Sequence, residues 1–200
     1  MITPMVARLI PTPFDRPGWL FKLKWDGFRA IAEKDKQGVR LYSRKQNDFK
    51  TRFPVIAEAV GALDKVILDG EVCALDDHGH PRFEWLLNRG RQRGKLVYSV
   101  FDLLRLGDID LRGEPLFRRK KLLAKILRKN DTLRYVDHVE NDGLPMFAGA
   151  IGAGARQEKG QREVGESFSE HNSQDRDYVE HSVQVRHETE AHAQQSGCRS

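Results

Sequence analysis

The sequence predicts an α+β domain with a mainly antiparallel sheet, followed by a polar tail. Strand-length segments in which apolar and charged residues alternate are separated by glycines. Prolines precede segments in which apolar residues recur at helical spacing. The composition also changes near residue 152, and 200 residues suffice for one domain with a core and a tail.

Three segments near the N-terminus are predicted to form an antiparallel meander. Phe21–Asp26 alternates apolar and charged residues, which is typical of a half-buried strand. Phe28–Glu33 resumes the extended pattern after the break at Gly27, and Val39–Ser43 follows a turn at Gly38.

Two later segments are predicted to be long strands. In Lys65–Leu75 the residues Asp69, Glu71 and Cys73 share one face, and apolar residues form the other face. Leu96–Leu104 is apolar almost throughout, which indicates a central strand that is buried on both faces.

Four helices are expected between and after these strands. They begin at Pro54, near Phe83, at Pro115 and at Gly143, and the last extends to about Ile151. The basic run from position 118 to position 121 lies on the third helix, and a solvated face is the preferred interpretation over a DNA contact.

The chain is predicted to divide into a folded part, residues 1–152, and a tail, residues 153–200. Residues 156–200 contain no Leu, Ile, Met, Trp or Pro. Such a segment buries too little apolar surface to offset the entropy lost on ordering, so we expect a disordered tail.

Charge distinguishes the same two parts. Residues 1–152 carry 28 Lys and Arg against 20 Asp and Glu, whereas residues 153–200 carry 6 against 9. A basic body favours a polyanionic partner such as nucleic acid. The apolar runs are too short to span a bilayer, the N-terminal segment lacks the pattern of a secretory signal, and the cysteines, Cys73 and Cys198, are far apart. We therefore expect a cytoplasmic protein.

Four short motifs carry the functional information. Lys24 to Arg29 reads KWDGFR, the pattern K-x-D-G-x-R, and three further motifs follow it in order. Together they resemble the successive motifs of covalent nucleotidyltransferases, and the flanking residues are most similar to the adenylation domain of bacterial ATP-dependent DNA ligases of the end-joining type. The three further motifs are Ser43-Arg44, Leu68-Asp69-Gly70-Glu71 and Val100-Phe101-Asp102.

The resemblance implies a fold and an activity. The fold would be the antiparallel-sheet, ATP-grasp-like adenylation domain, here incomplete. The activity would be lysyl-AMP formation at Lys24, with ATP and Mg²⁺, for the sealing of nicks in DNA repair and recombination. A lysine amine attacks phosphorus only when it is uncharged, and nearby cations or burial favour that form.

The same resemblance assigns roles to individual residues. Lys24 would be the catalytic nucleophile. Arg29, Glu71 and Phe101 would bind ATP and AMP with Lys24, and Phe101 would stack on the adenine. Glu71 would also bind the metal ion, and Arg44 would contact DNA.

The sequence departs from the family pattern in two places. Lys22 occupies the position, two residues before Lys24, where the family usually has an acidic residue. The later Glu-Gly and Lys-x-Lys motifs are absent from 153–200, as is an OB-fold domain. From these absences we expect impaired adenylation, and we hypothesise that the tail is a frameshift product.

The expected partner is nicked or broken double-stranded DNA, bound by a monomer in the bacterial cytoplasm in association with the nucleoid. No membrane partner is expected. Two alternatives stay open at this point. One is a non-catalytic DNA-binding remnant. The other is an RNA ligase or capping-type nucleotidyltransferase, which would share Lys24, Arg29 and Glu71.

Overall fold

A computed structural model describes residues 2, 4, 13–15, 17–87, 93–127, 130–152 and 181–184. These residues form two sheets and four helices. The strands are β1 (Leu20–Lys24), β2 (Phe28–Asp35), β3 (Gly38–Ser43), β4 (Val66–Leu75), β5 (Lys95–Leu106), β6 (Ile109–Asp110), β7 (Leu133–Tyr135), β8 (Val139–Glu140) and β9 (His181–Gln184). The helices are α1 (Pro54–Gly61), α2 (Phe83–Leu87), α3 (Leu116–Ile126) and α4 (Gly143–Gly152).

The larger sheet has six strands and is mainly antiparallel. Its order is β3-β2-β4-β5-β6, and β7 pairs with β5 in parallel. Strand β4 pairs along most of its length with β2 on one side and β5 on the other. The six-stranded sheet and the four helices confirm the prediction of an α+β fold. The prediction of a central strand at Leu96–Leu104 is also confirmed, because β5 lies between β4 and the short strands β6 and β7.

The first strand does not join this sheet. Strand β1 pairs with β8 through Leu20 and Phe21, and with β9 on its other side. The prediction of a three-strand meander is therefore wrong for β1, although β2 and β3 form the expected antiparallel pair. Both edges of β2 are already occupied, one by β3 and one by β4, so no edge remains for β1.

Part of the predicted tail is extended. Residues His181–Gln184 form β9, which runs parallel to β1 from Phe21 to Lys24. Disorder was predicted from the low apolar content of this segment, but a strand edge also offers backbone hydrogen bonds that do not depend on apolar side chains. Disorder of residues 153–200 therefore stays a prediction: four of these residues form β9, and the others lie outside the described part of the chain.

The main core lies on one face of the six-stranded sheet. Helices α1 and α3 cover this face, and each begins at or just after a proline, Pro54 and Pro115, as predicted. Because side chains alternate along a strand, the intervening residues lie on the opposite face, where two small apolar clusters, one around Ile31 and one around Cys73, accompany the polar residues. The buried apolar residues of the core include Ala30, Ala32, Ile56, Val60, Leu68, Val72, Tyr98, Val100, Leu123 and Leu127.

The basic run on α3 is divided between solvent and interior. Arg118 and Lys121 are exposed, but Arg119 and Lys120 are buried. Arg119 donates hydrogen bonds of 2.8 and 2.9 Å to Asp102, and Lys120 donates one of 2.9 Å to a backbone carbonyl. Four consecutive residues exceed one helical turn, so a wholly solvated run was not possible on a helix packed against a sheet. In the described residues, no helix has the length and apolarity needed to cross a membrane.

Candidate active site

The face of the six-stranded sheet opposite the core carries the predicted polar cluster. Arg29 in β2 lies beside Glu71 in β4, and Glu71 lies beside Ser99 in β5. Strand alternation places Asp69 on the same face as Glu71, as the sequence predicted. The sheet thus aligns side chains from three neighbouring strands in one row.

A bulge in β5 sets the position of Phe101. Asp69 pairs with Asp102 and Gly70 pairs with Val100, so Phe101 falls between the paired positions. A β-bulge adds one residue to a strand and re-aims the side chains next to it. Val100 belongs to the main core, whereas the ring of Phe101 contacts the cations of the opposite face.

The connection between β1 and β2 passes close to β4 at Gly27. A Cβ atom at this position would lie 2.3 Å from the carbonyl oxygen of Val72 and 2.8 Å from Cγ of Glu71. Only glycine permits such an approach. This approach accounts for the closeness of Lys24, the last residue of β1, to Glu71, whose pKa is affected by the charge of Lys24.

Arg29 and Asp69 form a two-point ion pair. Nε and Nη2 of Arg29 each donate a hydrogen bond of 2.8 Å to a different carboxylate oxygen of Asp69. Burial raises the pKa of Asp69, and the hydrogen bond and charge of Arg29 oppose that shift. The pair fixes the guanidinium, which lies 4.6 Å from the centre of the Phe101 ring.

Glu71 is a partly protonated carboxylate near neutral pH. Burial raises its pKa to about 7, and the positive charges of Lys24, Arg29 and Lys22 oppose the shift. In the described part of the chain, no three His, Cys, Asp or Glu side chains converge as a metal site. A magnesium ion fits this arrangement all the same, since it commonly binds one or two carboxylates together with substrate phosphates and water.

Lys22 is a third cation in the cluster, beside Lys24 and Arg29. It is 8% exposed, and its Nζ lies 3.5 Å from the centre of the Phe101 ring. Burial lowers its pKa to about 7, helped by the charges of Arg29 and Lys120 and opposed by Asp69 and Glu71. From the sequence, Lys22 is recognised only as a departure from the family pattern, and its contact with Phe101 is not predicted.

Of the predicted site residues, Lys24, Arg29, Glu71 and Phe101 are brought together. Arg44 is exposed in the turn after β3. Its neighbour Ser43 pairs with Ala30, which is next to Arg29 in sequence. Arg44 therefore lies at the edge of the sheet, one strand away from Arg29. Its assignment as a DNA contact stays a prediction.

Two buried charged groups near the site were missed as site residues. Asp69 anchors Arg29, and Lys120 lies close enough to Lys22 to lower its pKa. Asp69 was recognisable in principle, because a carboxylate on a buried strand face requires a cationic partner. Lys120 had no such signal, because it lies within a run of four basic residues.

Comparison with known proteins decides the family. Residues 4–147 match the family model described as ATP dependent DNA ligase domain, which is more than half of the chain. The chain belongs to the ATP-dependent DNA ligase family. This assignment confirms the resemblance drawn from the four motifs and favours a DNA ligase over the RNA ligase or capping-type alternative.

Curated bacterial relatives of this ligase-family chain agree. It is 36% identical over 132 residues to the multifunctional non-homologous end joining DNA repair protein LigD of Mycobacterium tuberculosis, covering 65% of this chain and 17% of that protein. It is 32% identical over 193 residues to LigD of Pseudomonas aeruginosa, covering 94% and 22%. The second match extends into residues 153–200, the predicted tail.

Solved structures show the same fold. The ligase domain of M. tuberculosis LigD has a TM-score of 0.58 and 33% identity, over 66% of this chain and 44% of that one. A mycobacterial DNA ligase D complexed with ATP and MES has a TM-score of 0.58 and 31% identity, over 76% and 49%. The ligase-family chain thus spans less than half of these solved chains.

Proposed function

We propose that the chain catalyses the adenylation step of a DNA ligase, with Lys24 as the nucleophile. The uncharged amine of Lys24 attacks the α-phosphorus of ATP, a nitrogen–phosphorus bond forms, and the bond to the β-phosphate breaks. Pyrophosphate leaves and the amine loses a proton. The observation that carries the proposal is the convergence of Lys24, Arg29, Glu71 and Phe101 from four strands.

The side chains around Lys24 suit binding and orientation. Arg29, held by Asp69, presents a fixed positive charge to a phosphate or to the ribose. Phe101 offers an aromatic ring for stacking with the adenine. Such groups act by positioning the reactants and by neutralising charge.

Glu71 is the residue that would hold Mg²⁺. The bound ion would neutralise negative charge on the phosphates. Glu71 offers a single carboxylate close to Lys24, and this suits an ion whose other ligands come from phosphate oxygens and water.

Nicked or broken double-stranded DNA is the proposed partner. AMP would pass from Lys24 to the 5′-phosphate of a break, and a 3′-hydroxyl would then displace it. The net charge of +8 over residues 1–152 favours a polyanion. Arg44, exposed beside the site, is the proposed phosphate contact. We also propose a monomer that acts in the bacterial cytoplasm, in association with the nucleoid.

The adenylation step is tested by incubation with ATP labelled at the α-phosphate, in the presence of Mg²⁺. We expect weak covalent labelling of the wild-type chain, in keeping with the impaired adenylation expected from the sequence, and loss of this label in Lys24→Ala. The exposed residue Lys50 provides the matched control, so Lys50→Ala should retain the label. Label that persists in Lys24→Ala would refute the assignment.

The same assay separates the proposal from a non-catalytic remnant. A remnant would bind DNA in a salt-dependent manner but would take up no label from ATP. Both an adenylating ligase domain and a non-catalytic remnant would lose DNA as the salt concentration rises. The covalent label therefore decides between them.

A further inference from the structure

The side chain of Lys22 covers the aromatic ring proposed to stack on the nucleobase. Lys22 lies two residues before Lys24 in β1, so both side chains lie on the same face of the strand. Its Nζ lies 3.5 Å from the centre of the Phe101 ring, and the residue is 8% exposed. Phe101 is itself 6% exposed. The ring is therefore in contact with a cation and largely shielded from solvent.

A base and the ammonium group cannot occupy this position together. The centres of stacked or edge-on aromatic rings lie roughly 4.5–7 Å apart. An ammonium group 3.5 Å from the ring centre lies inside that distance. Phe101 is also almost fully buried, so stacking of a base on the face that the ammonium group covers requires this group to move away.

Lys22 is the cation that has to move. Arg29 also lies over the Phe101 ring, at 4.6 Å, but two hydrogen bonds of 2.8 Å fix it to Asp69. A lysine carries a compact charge at the end of a flexible four-carbon stem, which can change rotamer without a change in the backbone.

We infer that Lys22 controls the affinity of the site for the nucleotide by competing with the base for Phe101. This inference rests on the proposed function, since it takes Phe101 as the stacking residue. Lys22 acts as a positioning residue rather than a catalytic one. The competition opposes the first step of the reaction, the binding of ATP, and leaves the nucleophile Lys24 unchanged.

The competition depends on the charge of Lys22. The charged groups that face it are Arg29 from β2, Asp69 and Glu71 from β4, and Lys120 from α3. Burial and the two neighbouring cations lower the pKa of Lys22 to about 7. Below that pH the ammonium is attracted to the ring, and above it the neutral amine loses this attraction.

Adenosine is the appropriate probe, because it lacks the phosphates that Lys22 would otherwise attract. Its equilibrium binding is measured by NMR titration on wild type, Lys22→Ala, Lys22→Arg and the exposed control Lys50→Ala. At pH 6 we expect Lys22→Ala to bind adenosine roughly threefold to thirtyfold more tightly than wild type, the range for a cation–π contact. Lys22→Arg and Lys50→Ala should match wild type. Between pH 6 and pH 8.5 the affinity of wild type should rise relative to that of Lys22→Ala, because Glu71 titrates in both proteins but Lys22 only in wild type.

Several outcomes would overturn the inference. One is equal affinity of wild type and Lys22→Ala at pH 6, including no binding by either, because removal of the competitor should expose the ring. Another is a wild-type affinity that does not rise with pH relative to that of Lys22→Ala. Lys22→Gln serves in place of Lys22→Ala should the latter fail to fold. Unchanged adenosine affinity together with a normal Lys24 label refutes only this inference, whereas absence of that label refutes the proposed function.

Discussion

Two side chains of opposite charge, the buried Lys22 and the half-buried Glu71, give the site its response to pH. Burial raises the pKa of Glu71 to about 7 and lowers that of Lys22 to about 7. Both shifts favour the neutral forms. As pH rises through 7, Glu71 gains a negative charge and Lys22 loses a positive one, so the site becomes more negative on both counts. Small changes near neutral pH therefore alter its affinity for cations and for phosphates.

The response of Glu71 gives a prediction on magnesium. Below pH 7 its carboxyl is largely protonated and cannot bind the ion, whereas above pH 7 it can. We expect the Mg²⁺ concentration needed for half-maximal labelling by ATP to fall between pH 6 and pH 8. Glu71→Gln is the control for the titration of ATP itself. This variant should need a higher Mg²⁺ concentration for half-maximal labelling, and that concentration should depend less on pH. The same pH dependence in wild type and Glu71→Gln would contradict this role.

The Arg29–Asp69 pair gives a prediction on stability. Asp69→Asn would leave the largely buried guanidinium of Arg29 without its counter-charge. We expect the free energy of unfolding to fall by about 3 kcal/mol, measured by urea denaturation. Asp108 pairs with Lys65 on the surface, so Asp108→Asn is the matched control and should change stability little. Equal effects of the two substitutions would show that the buried pair has no special importance.

At the residue scale, the sequence indicated the side chains proposed to react or to bind ATP, but not the residues that surround them. Lys24, Arg29, Glu71 and Phe101 were recognisable because their motifs have fixed residue types in a fixed order. Lys120 approaches Lys22 only through the packing of α3 against β5, which no local pattern specifies. The contact between Lys22 and Phe101 likewise depends on a bulge that sequence alternation does not predict.

At the scale of elements, the link between β1 and β2 determines where Lys24 lies. This link passes so close to β4 at Gly27 that a side chain would meet a backbone carbonyl. A backbone atom cannot move aside as a flexible side chain can. The position of Lys24, the proposed nucleophile, relative to Glu71 therefore depends on Gly27, a residue without a side chain.

Substitution of that glycine gives a prediction for the element. Gly27→Ala would force the β1–β2 link away from Val72, and overpacking of this kind costs about 2 kcal/mol. A displacement of the amine by about 1 Å would reduce the rate of Lys24 labelling by about 100-fold. A Cβ atom at Gly113 would meet no described atom within 4 Å, so Gly113→Ala should leave both stability and rate near wild type. Normal labelling by Gly27→Ala would show that the close approach does not position Lys24.

Most elements, but not their partners, were predictable. Alternation and proline positions located β2 to β5, α1 and α3, because these patterns are local. The partner of β1 was not predictable, because Phe21 pairs with Val139, more than a hundred residues later in the sequence. Strand pairing depends on which edges remain free after the larger sheet has formed, and that is a property of the whole fold.

At the scale of the whole molecule, the site lies between two sheets. Lys24 belongs to the three-stranded sheet, whereas Arg29, Glu71 and Phe101 belong to the six-stranded sheet. The family and the fold match bacterial ligases, although the chain spans 44% and 49% of the two solved ligase chains compared with it. We propose that these two sheets together bring the amine of Lys24 to the α-phosphorus of ATP.

Peptide mass spectrometry after incubation with ATP and Mg²⁺ tests this claim most directly. We expect one adenylyl group on Lys24, which would block tryptic cleavage after that residue but leave cleavage after Lys22 intact. An adenylyl group on Lys22 or on another lysine, or a chain that carries none, would contradict it.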